Sequence, residues 1–314
     1  MDAYIRRRLL LLLPVLLGIT FCTFLLMQLP ADDPVDMMYR ASGAVSEAVK
    51  AQTRAELGLN QPLLLRYWEW LCGIVTGDLG HSYLSGLPVA TLLLSKLPNT
   101  LLLTALSLAL TIIAAVPLGI LAALKQGRGC DLLIRTLTFL GNSLPGFFVA
   151  LLLIYLFSLK LGWLPVLSNG GLQSFLLPSL TLALPMTAKY IRHIRSSILE
   201  ELHKDYMAGA LVRGIPQKVV LRQFILPASG VTLLTLFSLS IGSLLGGTAI
   251  VETIFMVDGI GKMAVDAILM RDYPLIQAYV IWTTLIFTCV NLCCDLLYHY
   301  LDPQVRLLDK GGDF

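Results

Sequence analysis

The sequence predicts an all-α integral membrane protein of six transmembrane helices with both termini on the cytoplasmic side. Composition is the first reason: 56% of the 314 residues are hydrophobic and 14% are charged, whereas soluble globular chains carry about 25% charged residues. Length patterning is the second. A hydrocarbon core about 30 Å thick is crossed by about 20 apolar residues of helix, and such stretches occupy residues 9–29, 100–124, 132–161, 175–194, 231–254 and 275–301. The placement of basic residues is the third. With the N-terminus inside, the inner side collects Arg6, Arg7 and Arg8, then Lys125, Arg128 and Arg135, then the basic run from Lys189 to Arg222, then Arg306 and Lys310. The outer side holds Arg40, Lys50, Arg54, Arg66, Lys96, Lys160, Lys262 and Arg271, spread over longer segments. That asymmetry is expected when basic loops stay in the cytoplasm.

Residues 1–29 are expected to form a cytoplasmic N-terminus and the first transmembrane helix. The apolar run behind Arg8 exceeds the roughly 7–15 residues of a signal-peptide core, and no small-x-small pattern follows it. Residues 30–98 form an extracytoplasmic segment that mixes Asp32, Asp33, Asp36, Glu47 and Glu56 with the aromatic cluster Tyr67, Trp68 and Trp70. A segment of that size rarely stabilises a core of its own, so it is expected to pack on the outer ends of the helices. Residues 99–314 hold the other five helices. The net charge of +3, with no concentrated basic tract, gives no reason to expect a nucleic-acid partner; membrane lipid is the expected surrounding. The six cysteines show neither a secreted disulfide framework nor a CxxC zinc spacing, so free thiols are expected.

The most informative stretch is the inner loop at about 195–227. It reads as helix over 200–212, a break at Gly214-Ile215-Pro216, and a second helix over 217–226 closed by Pro227. Gly and Pro at the break are the punctuation of two short helices. A DNA-binding helix-turn-helix is a poor reading, because the element is tethered between membrane spans and is only modestly basic.

Within this loop, Ala208-Gly209-Ala210, then Gly214, then Phe224-Ile225-Leu226-Pro227 match the spacing of the cytoplasmic motif of ABC-importer permeases. The letters differ in three places. Ala208 stands where that family carries Glu, Gly209 where it carries Ala, and Phe224 where it carries Ile. The small residues still allow close approach of another protein, Gly214 allows a sharp turn, and Glu200, Glu201 and Asp205 supply acidic groups just upstream. Further stretches resemble the peptide, nickel and opine branch of these permeases, closest to the nickel-type or oligopeptide-type members. They include Tyr4-Ile5-Arg6-Arg7-Arg8, Leu57-Gly58-Leu59-Asn60-Gln61-Pro62, Gly77-Asp78-Leu79-Gly80-His81-Ser82, Leu161-Gly162-Trp163-Leu164-Pro165, Val251-Glu252-Thr253-Ile254-Phe255, Arg271-Asp272-Tyr273-Pro274 and Asp302-Pro303-Gln304-Val305-Arg306.

The resemblance implies a type I ABC importer transmembrane domain in a bacterial inner membrane, with the 195–227 loop as its coupling element. Glu200, Glu201, Asp205, Ala208, Gly209, Ala210, Gly214, Phe224, Leu226 and Pro227 are the residues expected to meet or shape the ATPase contact. It also implies a second, similar permease subunit in a heterodimer, two nucleotide-binding ATPase subunits and an extracytoplasmic solute-binding protein. This chain has no P-loop, no Gly-rich nucleotide fingerprint and no HExxH. It is therefore expected to be non-catalytic and to bind no cofactor, with ATP and magnesium used by the partners.

Polar residues inside apolar stretches mark the expected path. Asn142, Ser143 and Pro145 interrupt the third stretch, Pro185 and Thr187 the fourth, and Glu252 lies near the outer end of the fifth; broken helices lining a cavity are a common transporter device. Asn291, Asp295 and His299 share a face of the sixth helix. Asp295 and His299, with the lone His81, are weak metal candidates. On the stretch Asp33-Pro34, Arg40, Thr53-Arg54 and Gly58 to Pro62 the chain looks more like the nickel branch, so nickel, free or chelated, is the expected substrate and a di- or oligopeptide the alternative. Two readings of other classes are a membrane-embedded enzyme, which needs Glu252, Asp295 and His299 to converge, and an ion-coupled secondary transporter, which commonly shows internal repeats that are not seen here.

Overall fold

The computed structural model describes residues 2–28, 33–40, 45–168 and 171–301. Asp32, Arg306, Lys310 and the stretch 302–306 lie outside the described residues, as do the side chains of Ala208, Phe224, Leu226 and His299. In chain order the α-helices are α1 (Asp2–Leu26), α2 (Pro34–Tyr39), α3 (Glu47–Glu56), α4 (Leu63–Val75), α5 (Val89–Leu124), α6 (Gly129–Ser143) and α7 (Gly146–Leu153). They continue with α8 (Leu176–Leu202), α9 (Asp205–Val212), α10 (Gln217–Val220), α11 (Leu226–Phe255), α12 (Ile260–Met270) and α13 (Tyr273–Leu301). Among the described residues no strand is present beyond an isolated bridge between His81 and Pro88.

The helices fall into two compact units, Met1–Thr100 with Asp258–Thr288, and Leu101–Val257 with Cys289–Phe314. In the first unit α1 leaves the apolar side chains of Leu10, Leu13 and Leu26 exposed. The segment after α1 packs back on it. Tyr67 of α4 sets its ring edge-on to Phe21 and Phe24, at 5.3 and 5.5 Å between centroids, and donates to the Leu17 carbonyl at 3.1 Å. Charge holds α2 to α3: Lys50 reaches Asp36 at 2.9 Å, and Arg54 pairs with Asp33 and Asp36. Two of the motif stretches turn out to be one joint, since buried Asp272 accepts from the Ser82 hydroxyl and from the Tyr83 N–H at 3.1 Å.

In the second unit α8 is the central helix, packed against α6, α7 and α11. Its approach to the end of α5 is close because Gly119 has no side chain: a Cβ there would stand 2.7 Å from the Ile194 Cγ2. The shared core includes Ala115, Ala122, Ile134, Tyr190, Ile191, Ile194, Ile198 and Leu236. At the base of the unit Arg195 forks onto buried Asp131, with contacts of 2.7 and 2.9 Å. Such bidentate geometry fixes orientation as well as charge.

Several expected boundaries change. Among the described residues two unbroken helices are both long and apolar enough to cross a bilayer, Val89–Leu124 and Tyr273–Leu297, while the 129–143 and 146–160 helices meet at a 103° bend. The break at Asn142, Ser143 and Pro145 is thus present, as a bend between two helices. The expected break at Pro185 is absent: α8 runs through it. A proline removes one donor and crowds one carbonyl, and packing of α8 on three neighbours holds the helix despite that loss. The α5 helix begins at Val89 rather than near residue 100, so it is about 54 Å long at 1.5 Å per residue. Lys96 and Pro98, which read as the end of the preceding segment, lie inside it, and Lys96 pairs with Asp258.

Candidate functional site

The loop joining α8 to α11 is built from an inward apolar row and an outward bare face. The chain leaves α8 at His203, whose N–H donates to the Glu200 carbonyl at 3.2 Å. After α9 the Arg213 N–H bonds back to the Gly209 carbonyl at 3.2 Å and the Ile215 N–H to the Ala210 carbonyl at 3.3 Å. Between those two bonds Gly214 takes φ +76°, the left-handed conformation that ends helices and that side chains with a Cβ resist. Pro216 then caps α10 with its carbonyl, accepting from Val219 and Val220 at 2.8 and 3.1 Å.

Met207, Val220 and Ile225 point into the second unit's core at 0%, 0% and 1% exposure. Burying side chains of this kind stabilises by about 1.5–3 kcal/mol each. Ala210, Ile215 and Leu221 pack beside them. The opposite face is open. Val212 is 89% exposed and Tyr206 48% exposed, and a Cβ added at Gly209 would meet nothing within 4 Å. Of the small residues, Gly209 lies on the open face and Ala210 packs inward.

The acids divide too. Glu201 is held within the chain, accepting from Lys204 and from the Tyr206 hydroxyl at 2.6 Å each. Burial works against its charge, but the hydrogen bonds from Lys204 and Tyr206 outweigh it and hold the carboxyl below its usual range. The Glu201 carboxylate in turn pushes the Tyr206 hydroxyl up to about 12. Glu200 and Asp205 are exposed. Pro227 does not close a helix: it occupies the first turn of α11, where its missing N–H is not needed, so the loop's second half runs on through a π-helical turn, Leu221–Ile225, into α11.

The candidate path residues lie on α6, α11 and α13. Asn142 and Ser143 are exposed at the α6 break, with the Ser143 hydroxyl donating to the Phe139 carbonyl at 2.8 Å. Glu252 is fully buried one turn before the end of α11, where its carbonyl accepts from the Val257 N–H at 2.8 Å. Asn291 accepts from the Ser238 hydroxyl, tying α13 to α11, and Asp295 is half-buried. His81 is exposed in the first unit. Among the described residues no three His, Cys, Asp or Glu side chains come together as a metal ion would need. Sequence reasoning missed Met207, the Asp131–Arg195 fork and the Asp272 joint. The forks had a faint signal, a lone acid at the edge of an apolar stretch; Met207 had none.

The described residues form an all-helical fold with long apolar helices and a loop between α8 and α11 that is anchored in the core on one face and solvent-exposed on the other. The family model of the binding-protein-dependent transport system inner membrane component matches residues 115–307, and the N-terminal model of the same component matches residues 1–104. The chain is 36% identical over 314 residues to a probable peptide ABC transporter permease of Sinorhizobium fredii, covering 98% of this chain and 100% of that one. It is 35% identical over 320 residues to an oligopeptide transport system permease of Bacillus subtilis, covering 98% and 100%. With a glutathione transport system permease of Escherichia coli it shares 36% over 303 residues, covering 96% and 98%. Among solved structures, the MetNI methionine ABC transporter in inward-facing form aligns with a TM-score of 0.57 at 16% identity, over 68% of this chain and 97% of that one. An amino acid ABC transporter crystallised with histidines gives 0.53 at 21%, over 67% and 94%; both show the fold. The chain belongs to the inner-membrane components of binding-protein-dependent transport systems: it is a multi-pass ABC importer permease. None of these relatives is named for nickel; they are named for peptide, oligopeptide and glutathione.

Proposed function

We propose that this permease takes up short peptides, and that the α9 loop receives the motion of an ATPase subunit and passes it to α8 and α11. The observation that carries the coupling reading is the loop's two-sidedness: Met207, Val220 and Ile225 fix its inner face in the core, while Gly209, Val212 and Tyr206 are left bare. A push on a mobile loop would be lost in the loop, whereas a push on this one moves the helices. Contact with the ATPase rests on shape around Gly209 and on Glu200 and Asp205, since Ala208 lacks the family's carboxylate and Glu201 is already engaged. The chain works beside a second, similar permease, with two ATPase subunits and a solute-binding protein outside.

Peptide replaces nickel as the substrate reading because full-length relatives carry peptide-type names and the described residues offer no metal cluster. The test is uptake of a labelled dipeptide against radioactive nickel in a strain lacking only this subunit, with and without the gene restored. Restored dipeptide uptake is expected. Restored nickel uptake with no effect on peptide would return the substrate to nickel.

A further inference from the structure

Among the described residues, Gln277 is a buried side chain with both of its polar atoms unpartnered: it is 1% exposed, and neither Oε1 nor Nε2 finds a hydrogen bond. Burying an amide without partners is costly, so an arrangement of this kind calls for a use. Gln277 lies near the start of α13 and lines a cavity of about 420 Å³ inside the first unit. That volume falls within the range of small-ligand sites, about 300–1,000 Å³.

The other walls narrow the ligand's chemistry. Arg66 lines the cavity, its guanidinium held over the Phe24 ring at 5.6 Å. Glu69 lines it from one turn further along α4, and Trp70, Tyr83 and Tyr273 supply aromatic surface. The Tyr273 hydroxyl is occupied on the Met27 carbonyl at 3.0 Å, so Tyr273 offers its ring rather than its donor. A primary amide presents one acceptor and donors side by side, the complement of a peptide unit. A guanidinium matches a carboxylate in bidentate fashion. The lining sets one cation, Arg66, beside two carboxylates, Glu56 and Glu69, which opposes a phosphate and suits a ligand that carries an amino group as well as a carboxylate.

We propose that this cavity binds the C-terminal end of a short peptide, with Gln277 on its peptide group, Arg66 on its free carboxylate, Glu69 toward its amino end and the aromatic rings around its side chain. The proposal rests on the peptide reading of the substrate and adds a site to it. By the charge pattern of the sequence, residues 30–98, which supply most of the lining, lie on the side from which a binding protein delivers its cargo.

The test uses the complete importer in lipid nanodiscs without its binding protein. Binding of tritiated alanyl-phenylalanine is compared with that of its C-terminal amide, for the wild type, Gln277→Met and Arg66→Gln. Uptake of the same dipeptide by wild-type proteoliposomes with the binding protein is measured in parallel. Losing two hydrogen bonds in Gln277→Met should weaken binding about tenfold or more, while thermal stability is kept or raised because an unpaired amide leaves the interior. Arg66→Gln should remove the preference for the free acid over the amide. Peptide uptake with no dipeptide binding, with acid and amide bound equally, or with Gln277→Met binding as wild type would overturn the site and leave the peptide reading standing. A variant that loses stability but keeps its affinity would assign Gln277 a structural partner instead. Absence of any peptide uptake by the wild type would remove the peptide reading, and this ligand with it.

Discussion

The α9 loop and the α2–α3 pair are both short helices outside the apolar stretches, and they are held by opposite means. No residue of α3 is buried, and only Pro34 and Val35 of α2 are; the pair is joined by Asp33, Asp36, Lys50 and Arg54 across its surface. The α9 loop is held by Met207, Val220 and Ile225 in the core, while much of its outer face is left bare. The pair satisfies Asp33, Asp36, Lys50 and Arg54 within itself. The loop has a fixed base and an uncovered top, which is the arrangement required of an element that transmits force from another protein.

Substitutions at the base should break this contrast most severely. Met207→Ala removes a fully buried side chain, for which cavity formation costs about 2–5 kcal/mol. The loop should become sensitive to protease and uptake should fall to background. Gly214→Val places a β-branched residue at φ +76°, a strain of about 1–3 kcal/mol. The protein should still insert, and uptake, compared with the amount in the membrane fraction, should be abolished; undiminished uptake would sink the coupling assignment. The charged pair should respond far less. Arg54→Ala removes partly exposed ion pairs, worth about 1 kcal/mol or less, and should leave uptake within twofold of wild type.

Acid separates the two regions in a smaller way. The hydrogen bond from Lys50 holds the Asp36 carboxyl below its ordinary value. Its folded value is the lower one, so its contribution is present above the ordinary carboxylate range and lost as pH falls through and below it. The hydrogen-exchange protection of α2–α3, taken relative to the intrinsic exchange rate at each pH, should therefore fall on acidification. The core-anchored backbone at Met207 and Val220 should keep its protection over the same range, and a parallel loss in both would contradict the contrast.

Much of this was legible in the sequence, because it rests on local chemistry. Gly214 between two polar helices gave the loop its turn, and Asn142, Ser143 and Pro145 gave α6 its break. Tyr67 and Trp70 marked the segment that packs back on α1. Proline misled twice, at Pro185 and Pro227, since its effect depends on whether neighbours hold the helix and on which turn it occupies. Lys96 and Pro98 concealed the early start of α5 because a charge and a helix breaker read as an ending; only the folded chain brings Asp258 to Lys96. Met207 and Gln277 were unreadable for a shared reason: burial is a property of tertiary contacts, and neither residue type announces it within a polar stretch or an apolar one.

The central claim is that the bare face of α9 meets an ATPase subunit. Val212→Cys places a thiol at a position 89% exposed on that face, and cross-linking of this variant in the assembled importer tests the claim most directly. The account expects a cross-linked species between this chain and the ATPase subunit, with loss of uptake that reduction restores. Active importer that yields no such species, while a thiol placed on α3 does, would contradict it.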